Sequence, residues 1–161
     1  MPVEGMRERT MNPVMKISEA SSLAMHTMVL LASHPERPFT AHEVSEAFKV
    51  SEAHLAKVMR RLARAGLVHS ARGPKGGFTL ARPGDRITLL EVYETIEGPA
   101  PRSTCLFSTR ACKSESCILG GVLSDFNRSF RKHLSENRLT DLIGVYSKLR
   151  FTGGVPCAGK S

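Results

Sequence analysis

Three of the four cysteines in this 161-residue chain, Cys105, Cys112 and Cys117, share the short stretch CLFSTRACKSESC. Thiolates are soft ligands, and three of them on a segment without helical or strand periodicity can close on zinc, copper(I) or an iron-sulfur cluster. The C-x6-C-x4-C spacing does not choose among these. The N-terminus, MPVEGMRERTMNPVMK, has no continuous apolar h-region, so the chain is expected to stay in the cytoplasm. Thiols are kept reduced there, which favours metal binding over disulfides. Zinc accepts three cysteines and a histidine, so a zinc-stabilised module is one reading of the stretch. The sequence is read as not being an enzyme: no nucleophile-base arrangement or carboxylate pair stands out, and Cys105 has no histidine near it in sequence.

The second chemistry is electrostatic. The formal net charge is +8, which attracts a polyanion. From Lys49 to Arg82 the chain carries Lys49, Lys57, Arg60, Arg61, Arg64, Arg72, Lys75 and Arg82 against the single acid Glu52. Localised charge of this kind is either a solvated basic face or a nucleic-acid surface, and the elements around it decide. No apolar run approaches membrane-spanning length, so no membrane partner is expected.

Those elements can be placed in order. From Ser18 the pattern is helical, with Leu23, Thr27, Leu30 and Leu31 joined by Ala20, Ala24 and Met28 on one apolar face until Pro35. Ser22 and His26, four residues apart, share another side. Thr40-Ala41-His42-Glu43 is a capping box opening a short helix to about Phe48. Lys49-Val50 turns the chain, and Ser51 caps a second helix running to about Ala65. On that helix Leu55, Val58, Met59 and Leu62 face inward, leaving Lys57, Arg60, Arg61 and Arg64 outside. Two helices joined by a short turn, the second longer and basic, match a helix-turn-helix whose second helix enters the major groove. Gly66 closes it, and a hairpin follows around Arg72-Gly73-Pro74-Lys75-Gly76-Gly77. That hairpin is either an ordinary solvated one or a wing, with Arg72 and Lys75 at its tip and Arg72 reaching the minor groove.

Thr88 and Glu91 read as a second capping box, for a helix ending at Gly98-Pro99. Beyond the cysteines, Leu119, Val122, Leu123, Phe126, Phe130 and Leu134 make an apolar stripe on a helix of about five turns, roughly 28 Å. A small domain cannot cover all of it, and the same helix of a second subunit would. Thr140 and Asp141 begin a last helix, through Leu149. The expected fold is therefore mainly α with a small β-hairpin wing, a winged helix-turn-helix domain plus a long dimerisation helix. The expected divisions are a disordered extension at 1–14, the DNA-binding domain at 15–97 and the cysteine loop at 98–117. The dimerisation and C-terminal helices follow at 118–151, and a mobile tail at 152–161.

The segments MKISEASSLAMHTMVLLA, VSEAHLAKVMRRLARAGLVHSARGPKGGFTLAR and ITLLEVYETIEGP, followed by a three-cysteine loop, resemble in this order the family of the iron-sulfur regulators IscR and NsrR. The resemblance covers about Met15 to Arg150, and GLV followed by RGPKGGF is its most specific part. It implies a homodimeric winged helix-turn-helix transcription factor, often a repressor, on a roughly palindromic double-stranded operator. Its operator affinity would be gated by an iron-sulfur cluster (2Fe-2S or 4Fe-4S) that senses redox state, nitric oxide or iron. Carried over by position, Cys105, Cys112 and Cys117 look like the cluster thiolates and Arg72 like the wing arginine. Ser51, Glu52, Ala53, His54 and Lys57 look like the base-reading start of the recognition helix, with Lys57, Arg60, Arg61 and Arg64 on phosphates. The departures from the pattern are a middle cysteine displaced by one residue, Gly120 where IscR-like proteins place a histidine, and Ser22 where NsrR-like proteins place a carboxylate. His26 matches a histidine that some relatives use as a ligand; Ser22, water and Cys157 are the other candidates for the fourth position. The implied alternative is a cluster-free member that senses a metabolite or a protein partner.

Overall fold

The computed structural model describes residues 15–73, 76–101, 118–119 and 121–146. The chain runs α1 (Glu19–Ser33), α2 (Ala41–Phe48), α3 (Glu52–Arg64), β1 (Val68–Ala71) and β2 (Gly77–Leu80). A 3-10 turn at Gly84–Arg86, α4 (Leu89–Glu97), α5 (Val122–Glu136) and a 3-10 segment at Leu139–Tyr146 complete it. The described residues are thus mainly helical with one two-stranded antiparallel hairpin, the expected fold class.

Helix α1 lies at the centre. The Ser18 hydroxyl caps it, accepting from the Ser21 N–H at 3.1 Å. Leu23, Ala24, Thr27, Met28, Leu30 and Leu31 of the expected apolar face are all buried, and Ser21 and Val29 are buried with them. The reason is that α3, α4, β2 and the C-terminal 3-10 segment all pack on it, and a helix covered on several sides keeps no continuous polar face.

The helix-turn-helix forms by local rules. Thr40 Oγ1 accepts from the Glu43 N–H at 3.2 Å while Glu43 Oε2 accepts from the Thr40 N–H at 2.8 Å, the complete capping box. Lys49 sits in the left-handed region at φ 55°, ψ 43° and turns the chain. Ser51 then caps α3, whose Leu55, Val58, Met59 and Leu62 are buried. Helix α3 ends in a Schellman arrangement: Gly66 at φ +71° donates to Ala63 O and Leu67 to Leu62 O, both at 3.0 Å.

The hairpin pairs Val68 with Leu80 through to Ala71 with Gly77. Phe39 adds a further rung, exchanging backbone bonds with Phe78 at 2.8 and 3.0 Å. Gly77 is needed there: a Cβ on it would stand 2.6 Å from Phe39 O.

Three expectations change in the second half. Thr88 does cap α4, accepting from the Glu91 N–H at 3.2 Å. The reciprocal half of the box is missing because the Glu91 carboxylate is taken by the Arg82 guanidinium. The final helix expected through Leu149 is instead the 3-10 segment Leu139–Tyr146, with 147–150 outside the described residues. Thr140, Ile143, Gly144 and Val145 are weak helix formers. The segment is also pinned at its start, where Leu139 N–H donates to Ile87 O at 3.1 Å and Leu89 N–H to Asn137 O at 3.0 Å. It lies back on α1, and the Ser33 hydroxyl donates to Ile143 O at 3.2 Å.

Helix α5 has 15 residues, about 22 Å at the usual rise, shorter than the five turns expected. Its stripe is divided. Leu123 and Leu134 are buried, and Phe130 meets Tyr93 edge-on at 6.0 Å. Ile118, Val122 and Phe126 are 89%, 69% and 48% exposed.

Cys105, Cys112, Cys117, Cys157 and Lys75 lie outside the described residues, as do the segments 1–14 and 152–161. No described helix is long and apolar enough to cross a membrane.

Candidate nucleic-acid interface

The buried side of α3 fixes what its other side presents. Ser51, Glu52, Ala53, Lys57, Arg60, Arg61 and Arg64 are exposed and His54 is partly so. Lys57, Arg60 and Arg64, at i, i+3 and i+7, share a face. None of the three has an ion-pair partner among the described residues. A cationic face without internal partners is what a phosphate backbone recruits.

The remaining positions named from sequence divide by environment. The Ser51 hydroxyl is used as the cap, accepting from the His54 N–H at 3.2 Å. Glu52, the one acid in the basic stretch, meets His42 Nδ1 of α2 at 3.0 Å. Arg72 is exposed just after β1, and the Gly76 N–H donates to Gly73 O at 2.9 Å across the tip.

Arg61 faces elsewhere. Its Nη2 donates to Ile96 O at 2.5 Å and to Thr95 O at 3.3 Å, the last carbonyls of α4. Those carbonyls form the negative end of a helix dipole, where a guanidinium is favoured. Sequence reasoning grouped Arg61 with the phosphate contacts because spacing alone cannot show that a neighbouring helix ends beside it.

The last turn of α4 holds two further residues that the sequence did not single out. Glu97 accepts from the Ser18 N–H at 3.1 Å and from the Ser18 hydroxyl. Glu94 accepts from the Ala100 N–H at 3.0 Å and pairs with Arg131 of α5 at 3.1 Å. Partial burial opposes the charge of Glu97, but the bonds from Ser18 and Ser21 and the nearby Lys16 hold its carboxyl below the usual 4.5. A signal existed: two acids at a helix C-terminus oppose the dipole, so both need donors from outside the helix.

His26 is exposed, and its Nδ1 bonds the Tyr146 hydroxyl. Its ring centroid stands 6.1 Å from those of both Phe48 and Tyr146. Burial pushes the Tyr146 phenol up to about 12, so it stays a neutral hydroxyl, and its oxygen can accept from Nδ1–H in the tautomer that leaves the Nε2 lone pair open. Nε2 is then the nitrogen left for a ligand role. Ser22 lies one turn earlier on α1 and is half-buried. Among the described residues no group of three or more His, Cys, Asp or Glu side chains is placed to hold a metal.

A separate open cleft of about 450 Å³ lies at the base of the hairpin, lined by His34, Arg37, Thr79, Arg82, Asp85 and Thr140 among others.

Residues 17–144 match the protein family described as Rrf2: Iron-dependent Transcriptional regulator. An Aquifex aeolicus (strain VF5) protein named for HTH-type transcriptional regulation is 27% identical over 140 residues, covering 85% of this chain and 97% of its own. Among solved structures, CymR (YrzC), the global cysteine regulator of B. subtilis, is similar at 26% identity and TM-score 0.68. That match covers 81% of this chain and 98% of CymR. IscR of T. potens is similar at 25% identity and TM-score 0.65, covering 87% and 94%. With the family match spanning most of its length and the winged helix-turn-helix presenting a basic second helix, the chain belongs to the Rrf2 family of DNA-binding transcriptional regulators.

Proposed function

We propose that this protein is a homodimeric repressor whose affinity for a roughly palindromic double-stranded operator is gated by an iron-sulfur cluster. The observation that carries the DNA half is the basic face of Lys57, Arg60 and Arg64 on the second helix of the helix-turn-helix, which has no ion-pair partner among the described residues. These three would bind phosphates, while Ser51, Glu52, Ala53 and His54 at the start of α3 read base edges in the major groove. Arg72, with Lys75, serves the wing. In a twofold dimer the two α3 helices would address half-sites about 34 Å apart, one helical turn. The exposed Ile118, Val122 and Phe126 supply the apolar patch that such a pairing would cover.

The sensing half is supported by the three thiols at Cys105, Cys112 and Cys117 and by a family described as iron-dependent. These thiolates would hold the cluster, with His26 Nε2 as a fourth donor. The bound group would supply a centre that oxidants, nitric oxide or iron shortage can alter.

The test is an anaerobic absorption spectrum with iron and sulfide counts on the purified protein and on Cys105→Ala, Cys112→Ala and Cys117→Ala. Iron and sulfide in the parent, their loss in each variant and a changed operator affinity are expected. Iron-free protein with undiminished operator affinity would remove the cluster and leave the DNA-binding half standing. Zinc in place of iron would mark a zinc-stabilised module. The second reading is a cluster-free member responding to a small metabolite. It is favoured by the polar cleft below the hairpin and by the likeness to CymR, named for cysteine regulation.

A further inference from the structure

Arg61 stands on the recognition helix among residues that face DNA, yet its guanidinium is spent on the carbonyls of Thr95 and Ile96. We propose that Arg61 is a positioning residue that ties α3 to the root of the cysteine segment, and is not itself a phosphate contact. The inference rests on the gating reading above and names the contact through which that gating reaches the DNA-binding helix.

The geometry narrows the choice of path. Helix α4 ends at Glu97, Gly98 turns the chain at φ +87°, and Ala100 is buried with its N–H on Glu94. Cys105 follows five residues after Ala100. The last turn of α4 and Ala100 are therefore held close before the thiols in sequence, and three tethers on that turn come from other elements among the described residues. Ser18 holds Glu97 from the start of α1, Arg131 holds Glu94 from α5, and Arg61 holds the carbonyls from α3. Of these tethers, Arg61 alone belongs to the helix that presents Lys57, Arg60 and Arg64. A guanidinium suits the task because one of its terminal nitrogens, Nη2, reaches both carbonyls and the group stays charged at every relevant pH. A displacement of 98–101 moves the acceptors of Arg61, and the pitch of α3 on the DNA moves with them. Coupling of this kind exists only where the two states of the cysteine segment place those acceptors differently.

The experiment is a cycle of operator affinities on full-length protein: parent, Cys105→Ala, Arg61→Gln and the double variant, each over a range of salt. Lys57→Gln serves as the phosphate-contact control. In the parent, Cys105→Ala is expected to shift affinity by about 5-fold or more, the usual floor for allosteric coupling. In the Arg61→Gln background the same change should shrink to within about 2-fold, the ordinary limit of additivity. The salt slope of Arg61→Gln should stay at the parent value while that of Lys57→Gln falls by about 1. A slope lowered as in Lys57→Gln would make Arg61 a phosphate contact and overturn the proposal. So would a Cys105→Ala response that survives undiminished in the Arg61→Gln background. No response to Cys105→Ala in the parent would instead strike the gating reading first and take the coupling with it. Should Arg61→Gln fail to fold by circular dichroism, Arg61→Lys repeats the cycle, since it keeps the charge but replaces the planar guanidinium with a compact ammonium of shorter reach.

Discussion

Glu43 carries more of the helix-turn-helix than its place on a short surface helix suggests. Partial burial works against its charge, yet the Thr40 N–H, the Arg37 guanidinium at 2.9 Å and the Thr40 hydroxyl hold its carboxyl below the usual 4.5. A carboxyl depressed in the folded state contributes stability that is present above its unfolded pKa and lost as pH falls through its folded value. Glu43→Gln is accordingly expected to cost about 1 kcal/mol near pH 7. The gap to the parent should close below about pH 4.5, as read from urea midpoints over an acid series. Glycines separate in the same residue-by-residue way. Gly66 has nothing within 4 Å of an added Cβ, so Gly66→Ala should cost only the left-handed backbone, about 1–2 kcal/mol. Gly77→Ala would drive its Cβ to 2.6 Å from Phe39 O, against backbone. It should break the Phe39–Phe78 rung as well and destabilise more than Gly66→Ala in thermal unfolding.

At the scale of elements, the C-terminal 3-10 segment matters most because it reaches back across the fold. Leu139 is fully buried, its N–H is on Ile87 O, and Tyr146 at the far end closes over His26 and Phe48. Leu139→Ala should therefore cost about 2–5 kcal/mol, as a core truncation does. A lowered denaturation midpoint with an unchanged m-value is the expected observation. A cost under 1 kcal/mol would mean that the segment is peripheral to the core. Helix identities and the wing were legible in the chain because caps, apolar spacing and glycine placement act within a few residues: Thr40 with Glu43, Ser51 before α3, Gly66 after it. The 3-10 winding of 139–146 and the diversion of Glu91 to Arg82 were not legible. Each depends on a partner distant in sequence or on a competition between two partners.

For the whole molecule, one chain leaves Ile118, Val122 and Phe126 in water on and beside α5 while the rest of that stripe folds inward on Tyr93 and its neighbours. For the dimer proposed above, replacing Val122 and Phe126 together by Asp is expected to give a folded monomer by sedimentation, since neither side chain is buried in the chain's own core. Operator affinity should drop by at least about tenfold, because a monomer reaches a single half-site. A dimer that survives both substitutions would place the subunit contact elsewhere. On the proposed reading, operator binding weakens steeply with salt, and the Lys57, Arg60 and Arg64 face sets the slope.

By itself the sequence determined where α1 to α5 lie, where the hairpin lies, that a basic helix follows a tight turn, and that three thiols share one stretch. Those properties are written in short-range pattern and charge. Only the tertiary structure decided that Arg61 turns from the basic face of α3 to the end of α4, that Tyr146 covers one nitrogen of His26, and that half of the α5 stripe is already used. Each of those outcomes depends on which atoms from distant parts of the chain arrive at the same place, and local propensity carries no information about that meeting.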